Sequence, residues 1–196
     1  MNDPVAVEFI APPTLPQKLI PFTLTVFIFA LDQITKLLII KFVPPYTIGA
    51  AFSGDFLRII HVTNPGIAFS IGNGLSAGLR QILFALAPLG VIVAVISIYF
   101  RSKDFTAFQR WAIAGIVGGG LGNLFDRFFR PEGVVDFIDV KFYGLFGLDR
   151  WPTFNVADMS VLISGFTLFF SFAVAIAKDS KRKKEPADSE TQPPEG

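Results

Sequence analysis

Long apolar stretches dominate the chain, and four of them reach the length of about 20 residues that a membrane-spanning helix needs. They cover residues 19–43, 82–100, 111–129 and 156–177. The second stretch contains no charged residue, and Pro88 within it predicts a kink. Buried strands are shorter than these stretches. The pattern therefore predicts an integral membrane protein, mainly α, with four transmembrane helices.

A different pattern occupies residues 44–78, between the first two predicted spans. Two short runs of partly alternating apolar residues lie there, one on either side of Ser53-Gly54-Asp55, where a turn is expected. This predicts a small β-rich cradle that lies on the outer face of the membrane. A second connection joins helices three and four, and its residues 139–153 form an apolar, aromatic loop. Gly144 and Gly147 would allow this loop to move over its surroundings.

The composition agrees with a membrane protein and excludes several kinds of site. Of 196 residues, 52% are hydrophobic and 17% are charged, against about 25% charged in a soluble domain. The net charge of +1 lacks the basic excess of a nucleic-acid-binding protein. No cysteine and a single histidine, His61, exclude disulfides, thiol nucleophiles and multi-histidine metal sites. We therefore expect no metal, and no cofactor is indicated.

Basic residues predict the orientation in the membrane, because Lys and Arg near span ends stay on the cytoplasmic side. They cluster at two places, after the fourth span and between the second and third: Lys178, Lys181, Arg182, Lys183, Lys184, Arg101, Lys103 and Arg110. Both termini are then cytoplasmic, and the two longer connections lie outside. Residues 1–178 form one membrane-embedded domain, and residues 179–196 are predicted to be a disordered cytoplasmic tail.

Charged residues within spans are costly and therefore indicate function. Asp32 and Lys36 lie four residues apart on one helix face, where they either neutralise each other or take part in substrate binding or catalysis. Near the end of the third span, four glycines among residues 118–122 predict close helix packing. Asn123, Asp126 and Arg127 follow on one face, as an ion-pair brace or as part of the chemistry.

Two further aspartates lie near the outer-face ends of the predicted spans. Asp136 interrupts the apolar run VVDFI, where it either points out of a half-buried strand or has a chemical role. Asp158 opens the fourth span three residues after Asn155, which fits a helix N-cap. Like charges held close together cannot both ionise, so such a pair shares one proton. The ionised partner can deprotonate water while the protonated one polarises a carbonyl. A proton-translocating pair explains the same pattern.

Taken together and in this order, the polar clusters resemble the lipoprotein signal peptidases (signal peptidase II), aspartic proteases of the bacterial inner membrane. The specific motifs are GNLFDR at 122–127, VVDFI at 134–138 and FNVAD at 154–158, and the resemblance covers residues 19–177. It implies that Asp136 and Asp158 are the catalytic pair. The positions implied to hold the substrate or support this pair are Asp32, Lys36, Asn64, Gly66, Asn123, Asp126, Arg127 and Asn155.

The resemblance further implies a substrate and a location. The substrate is a prolipoprotein carrying diacylglycerol, cut just before the modified cysteine, and the enzyme lies in the inner membrane with its active site at the outer face. One motif departs from the family. Pro65 and Ile67 stand after Asn64 where the family has other residues, and Asn-Pro-Gly by itself predicts a simple turn.

Two other functions fit the residues. A proton-coupled transporter would use Asp32, Asp126 and Asp158 as relay sites and would release no peptide. A non-catalytic scaffold would use the apolar outer loops to bind lipidated peptides without turnover.

Overall fold

The computed structural model describes residues 12–65 and 77–189, which form a helical bundle with a small sheet at one end. The helices are α1 (Leu15–Leu19), α2 (Phe22–Phe42), α3 (Ala77–Arg101), α4 (Ala107–Phe129) and α5 (Val156–Ser189). The strands are β1 (Ile48–Phe52), β2 (Leu57–Asn64) and β3 (Val134–Val140), and a short 3-10 helix covers Leu145–Gly147.

Three stretches of helix in the described residues are long and apolar enough to cross a membrane: Leu15–Phe42, Phe84–Arg101 and Val156–Ser180. They correspond to the first, second and fourth predicted spans. The third predicted span is also a helix, α4, but it does not reach the same apolarity because glycines and polar residues interrupt it. Its crossing of the membrane stays a prediction.

Helix α4 lies at the centre of the bundle, in contact with α2, α3 and α5. Its glycines bring the neighbouring helices close, as the sequence predicts. A Cβ atom on Gly119 would collide with the carbonyl oxygen of Ala157, and one on Gly122 would lie 2.6 Å from Oδ2 of Asp32. A helix enclosed by others does not need an apolar surface all round, which explains how α4 carries its polar residues.

The predicted β-rich cradle is a three-stranded antiparallel sheet in the order β1-β2-β3. The turn predicted at Ser53-Gly54-Asp55 joins β1 to β2, and all three residues have positive φ angles. β3 extends the sheet from a distant part of the chain and pairs with β2, with Val62 opposite Asp136. Val135 and Phe137 pack against Ile39 and Val43. The sheet is thereby fixed to the end of α2.

The outer loop between α4 and α5 is closed at its base by backbone bridges from Ile138 to Phe154 and from Lys141 to Arg150. The guanidinium of Arg150 binds the Asp139 carboxylate through Nε at 2.6 and 2.7 Å. Asp55 in the β1–β2 turn pairs with Arg58. This pairing lowers the pKa of Asp55, chiefly through the hydrogen bond from Arg58. Ion pairs therefore join the loop to the sheet.

Helix α5 continues past the predicted span end to Ser189. Residues 179–189 are helical where a disordered tail is predicted from the sequence, and residues 190–196 lie outside the described part of the chain. The physical reason is that Lys, Arg, Glu and Ala, which are strong helix formers, dominate this polar segment and extend a helix that has already started.

Candidate active site

Strand β3 places Asp136 inside the protein. The side chain is 3% exposed, and its neighbours Val135 and Phe137 are buried as well. The alternative that Asp136 points out of a half-buried strand is therefore wrong, because β3 is covered on both faces. A carboxylate is expensive to bury without hydrogen bonds. Asp136 receives one from Nδ2 of Asn155, at 2.7 Å from Oδ1, and another from the side chain of Asn64.

The first turn of α5 holds Asp158 through a reciprocal cap. Oδ1 of Asn155 accepts a hydrogen bond from the Asp158 amide at 2.9 Å, and Oδ2 of Asp158 accepts one from the Asn155 amide at 3.1 Å. The predicted helix cap is confirmed, and such an arrangement fixes the start of a helix. The cap uses one carboxylate oxygen of Asp158. The other, Oδ1, accepts a hydrogen bond from Nδ2 of Asn123 at 2.7 Å.

Two asparagines thus join the two aspartates. Asn155 is fully buried and contacts both carboxylates, one through its side-chain amide and one through its backbone. Its Nδ2 also donates to Oδ1 of Asn123 at 3.0 Å. Asn123 in turn holds Asp158. Asp136 on β3 and Asp158 at the start of α5 are in this way held beside each other.

A buried charge network lies directly behind the asparagines. Nζ of Lys36 is 2.8 Å from Asp32, 2.8 Å from Asp126 and 3.0 Å from Oδ1 of Asn123. The side chains of Lys36, Asp32 and Asp126 are completely buried. The ion pair predicted between Asp32 and Lys36 is confirmed. Oδ1 of Asp32 also accepts a hydrogen bond from the Ala157 amide at 3.0 Å, so the network reaches the start of α5.

The surroundings of Asp136 favour its protonated form. Burial raises the pKa of this carboxyl most, the nearby charge of Asp158 adds to the rise, and the resulting pKa is about 7. Hydrogen bonds from Asn64 and Asn155 and the charge of Lys36 oppose the rise but do not cancel it. Near neutral pH one member of the pair therefore still carries a proton, which is the condition for acid and base chemistry by two carboxyl groups.

A scan against protein families matches residues 24–174 to the signal peptidase (SPase) II model. The chain is similar to the lipoprotein signal peptidase of Treponema pallidum, with 46% identity over 89% of this chain and 92% of the relative. That of Treponema denticola is 43% identical over 84% and 94%. The chain belongs to the signal peptidase II family.

Solved structures agree with this assignment. A bacterial membrane enzyme determined by the in meso method at 2.3 Å superposes with a TM-score of 0.67 and 30% identity, over 85% of this chain and 92% of the other. A second such structure, at 1.9 Å, gives a TM-score of 0.66 and 28% identity over 78% and 92%. As a member of this family, the chain is a protease and a multi-pass membrane protein.

The site contains most of the residues singled out from the sequence. Asn64, at the end of β2, reaches Asp136, whereas Gly66 lies outside the described residues. Arg127 is half-buried on α4 and interacts electrostatically with Asp158 and Asp136. Within residues 12–65 and 77–189, no group of three or more His, Asp and Glu side chains could hold a metal ion.

Two residues of the charge network are not predicted from the sequence. Nε2 of Gln33 contacts Asp32, Asp126 and the carbonyl of Gly122, each at 3.1 Å. Arg130 pairs with Asp126 from one turn further along. Their spacing of four residues is the sequence feature that could have predicted this ion pair. Arg130 lies just after the predicted span, where a basic residue attracts no special notice.

Proposed function

We propose that this chain is an aspartic endopeptidase that removes the signal peptide from diacylglyceryl-modified prolipoproteins, cutting before the lipidated cysteine. The observation that carries the proposal is that Asn155 holds Asp136 and Asp158 together. In this pair the pKa of one carboxyl is raised to about 7. Membership of the signal peptidase II family, whose relatives are named lipoprotein signal peptidases, supports the substrate class.

In the proposed reaction Asp136 keeps its proton and donates it to the carbonyl oxygen of the scissile peptide bond. Asp158, ionised, takes a proton from a water molecule, whose oxygen attacks the carbonyl carbon. The resulting tetrahedral intermediate breaks its C–N bond and re-forms the C=O bond. One hydroxyl proton of the intermediate returns to Asp136, and the leaving amine takes up the proton that Asp158 received. The products are the signal peptide carboxylate and a new amino terminus on the lipoprotein.

The proposed topology has four spans, with α4 as the enclosed one, both termini in the cytoplasm and the active site at the outer face of the inner membrane. Large apolar side chains on the sheet and loop support a lipid-contacting surface beside the site. Tyr143 and Phe146 are 67% and 84% exposed, and Phe52 and Phe56 are also exposed. Aromatic residues of this kind are favoured where protein meets lipid headgroups and acyl chains.

A pair of matched substrates tests the function. The purified full chain in detergent micelles is incubated with one prolipoprotein, either diacylglyceryl-modified or unmodified at its cysteine. We expect a signal-peptide-sized product from the modified substrate only, with the cut before the cysteine confirmed by mass spectrometry. Equal cleavage of both forms would refute the lipid requirement. Absence of any product, together with proton-driven solute flux in vesicles, would instead favour the transporter.

The raised pKa of Asp136 predicts a pH dependence. Below about pH 7 this carboxyl is protonated and can donate to the carbonyl oxygen, and above it the proton is lost. We therefore expect kcat/KM to fall as the pH rises through about 7, which is measured by cleavage assays between pH 5 and 9. A value of kcat/KM that stays constant or increases over pH 7–9 would contradict the assignment of Asp136 as the proton donor.

Asn155→Ser tests whether the pKa of Asp136 causes this pH dependence. Serine keeps the N-cap of α5, but it removes the amide donor that stabilises ionised Asp136. A hydrogen bond to a charged group contributes about 1.5–3 kcal/mol, and 1.36 kcal/mol corresponds to one pKa unit. The alkaline fall of kcat/KM should therefore move upward by about one to two pH units, which a purely structural role of Asn155 would not produce.

A further inference from the structure

A second polar site lies at the opposite end of the bundle from the two aspartates. Arg110, in the first turns of α4, is only 3% exposed. It lies about 20 Å along the helix from Asn123, at 1.5 Å per residue. Among the described residues, nothing accepts a hydrogen bond from its Nη1 or Nη2, although both atoms are buried. A buried guanidinium normally forms ion pairs or hydrogen bonds, because its desolvation is expensive.

The residues around Arg110 hold it in place but leave its charge uncompensated. The guanidinium lies over the ring of Tyr99, 5.4 Å from the centroid. Tyr99 is itself fixed, since its hydroxyl donates to the carbonyl of Lys18 at 2.6 Å. Nζ of Lys18 donates to the carbonyl of Phe100 at 2.7 Å, so it adds a second positive charge at this end of the bundle. A cation–π contact orients an arginine without satisfying its N–H donors.

Arg110 lines a cavity of about 880 Å³ formed by α1 and its flanking residues, the α3–α4 connection and the first turns of α4. Its other polar lining residues include Lys103 and Thr106, and Asp104, which is exposed and therefore solvated. The first turn of α4 contains no acidic residue, so the positive end of the helix dipole is also uncompensated here. The rest of the wall is largely apolar and includes Ile20, Phe105 and Trp111.

We propose that this cavity binds an anionic phospholipid, with the headgroup phosphate at Arg110 and an acyl chain along the apolar wall. The charge of the site selects an anion, and the apolar wall, continuous with the exposed side chains of Ile20 and Trp111, selects one that carries a hydrocarbon chain. The site lies at the end of the bundle predicted to face the cytoplasm, where anionic lipids bind basic pockets between helices. It is separate from the peptidase site and does not depend on its assignment.

Native mass spectrometry of the purified full chain tests the proposal. Detergent micelles are titrated with phosphatidylglycerol or with phosphatidylcholine at about 0.5 M salt, which screens exposed basic clusters more than a buried site. We expect one tightly bound phosphatidylglycerol and preference for it over phosphatidylcholine. Arg110→Gln should weaken phosphatidylglycerol binding about tenfold or more while leaving cleavage unchanged. Arg101→Gln, which removes an exposed arginine at the same end, should bind like the original chain.

Three results would overturn the proposal. The first is equal binding of the two lipids by the unmodified chain, a measurement that needs no variant to fold. The second is phosphatidylglycerol binding by Arg110→Gln as tight as that of Arg101→Gln. The third concerns the chain's own acidic residues before residue 12: no bound phosphatidylglycerol in the unmodified chain, together with binding in Asp3→Asn/Glu8→Gln, would mean that a carboxylate of this segment occupies the site instead.

Discussion

Replacing either Asp136 or Asp158 by asparagine is expected to lower kcat by about 10²–10⁴-fold. Each carboxyl is assigned a proton transfer in the proposed reaction, and loss of one general acid or base costs about 10²–10⁴-fold in rate. An amide can neither deprotonate water nor donate an acidic proton. The measurement is single-turnover cleavage of the diacylglyceryl-modified substrate. Cleavage at near-normal rates by either variant would refute the pair as the catalytic residues.

Unfolding temperatures distinguish this loss of catalysis from a loss of folded protein. In Asp136→Asn the asparagine oxygen can still accept the hydrogen bond from Asn155. In Asp158→Asn it can accept only one of the two bonds that the carboxylate accepts, from the Asn123 side chain and from the Asn155 amide. Asp136→Asn also removes a carboxyl group whose ionisation is opposed by burial and by Asp158. Asp136→Asn should therefore unfold at or near the original temperature in detergent, and Asp158→Asn slightly below it because it loses one hydrogen bond. Asp104→Asn, which alters an exposed aspartate at the other end of the bundle, is the matched control and should retain full cleavage.

The second large effect is expected from Lys36→Met, and it concerns stability first. Lys36 is the buried cation between Asp32 and Asp126, and its side chain is completely buried. Removing one partner of a buried charge network leaves the others uncompensated, which costs about 3–5 kcal/mol. We expect a markedly lower unfolding temperature and less folded protein in the membrane. Cleavage by the folded fraction should also decrease, because Lys36 supports Asn123, which holds Asp158.

Two further variants identify the cause of this effect. Lys41→Met changes an exposed lysine on the same helix and should leave the unfolding temperature nearly unchanged. Lys36→Met combined with Asp32→Asn removes one charge of each sign, and we expect it to recover part of the lost stability. A Lys36→Met protein that unfolds like the Lys41→Met protein would contradict the structural role of the network.

Much of the fold follows from local patterns. Apolar stretches of the required length specify α2, α3 and α5, and the positive-φ turn at residues 53–55 marks the hairpin of β1 and β2. The start of α5 is equally local, since Asn155 and Asp158 form their cap within one turn. Helix ends are less well predicted. α4 begins at Ala107 because Thr106 and Gln109 form a capping box, so the helix starts earlier than its apolar residues suggest.

Other features depend on contacts between distant segments. The sequence marks Asp136 and Asp158 as unusual but leaves open a surface strand for one and a simple cap for the other. β3 is buried against α2, so Asp136 does not lie on a surface strand. Asp158 does form the cap, but it also accepts a hydrogen bond from Asn123, which a simple cap does not require. Gln33 and Arg130 escape notice because their role exists only once α2 and α4 are packed together. The buried, uncompensated state of Arg110 likewise appears only in three dimensions.

The sequence by itself determined that this protein is a membrane protein with helices of spanning length, and it marked the polar residues that such a protein cannot carry without a reason. Hydrophobic length and local capping are short-range properties, so they can be read along the chain. Only the tertiary structure decided which of those polar residues meet. The pKa of Asp136 is raised because the surrounding chain removes its carboxyl from water and, to a smaller extent, because the start of α5 brings Asp158 close. Neither cause has a counterpart in a linear sequence.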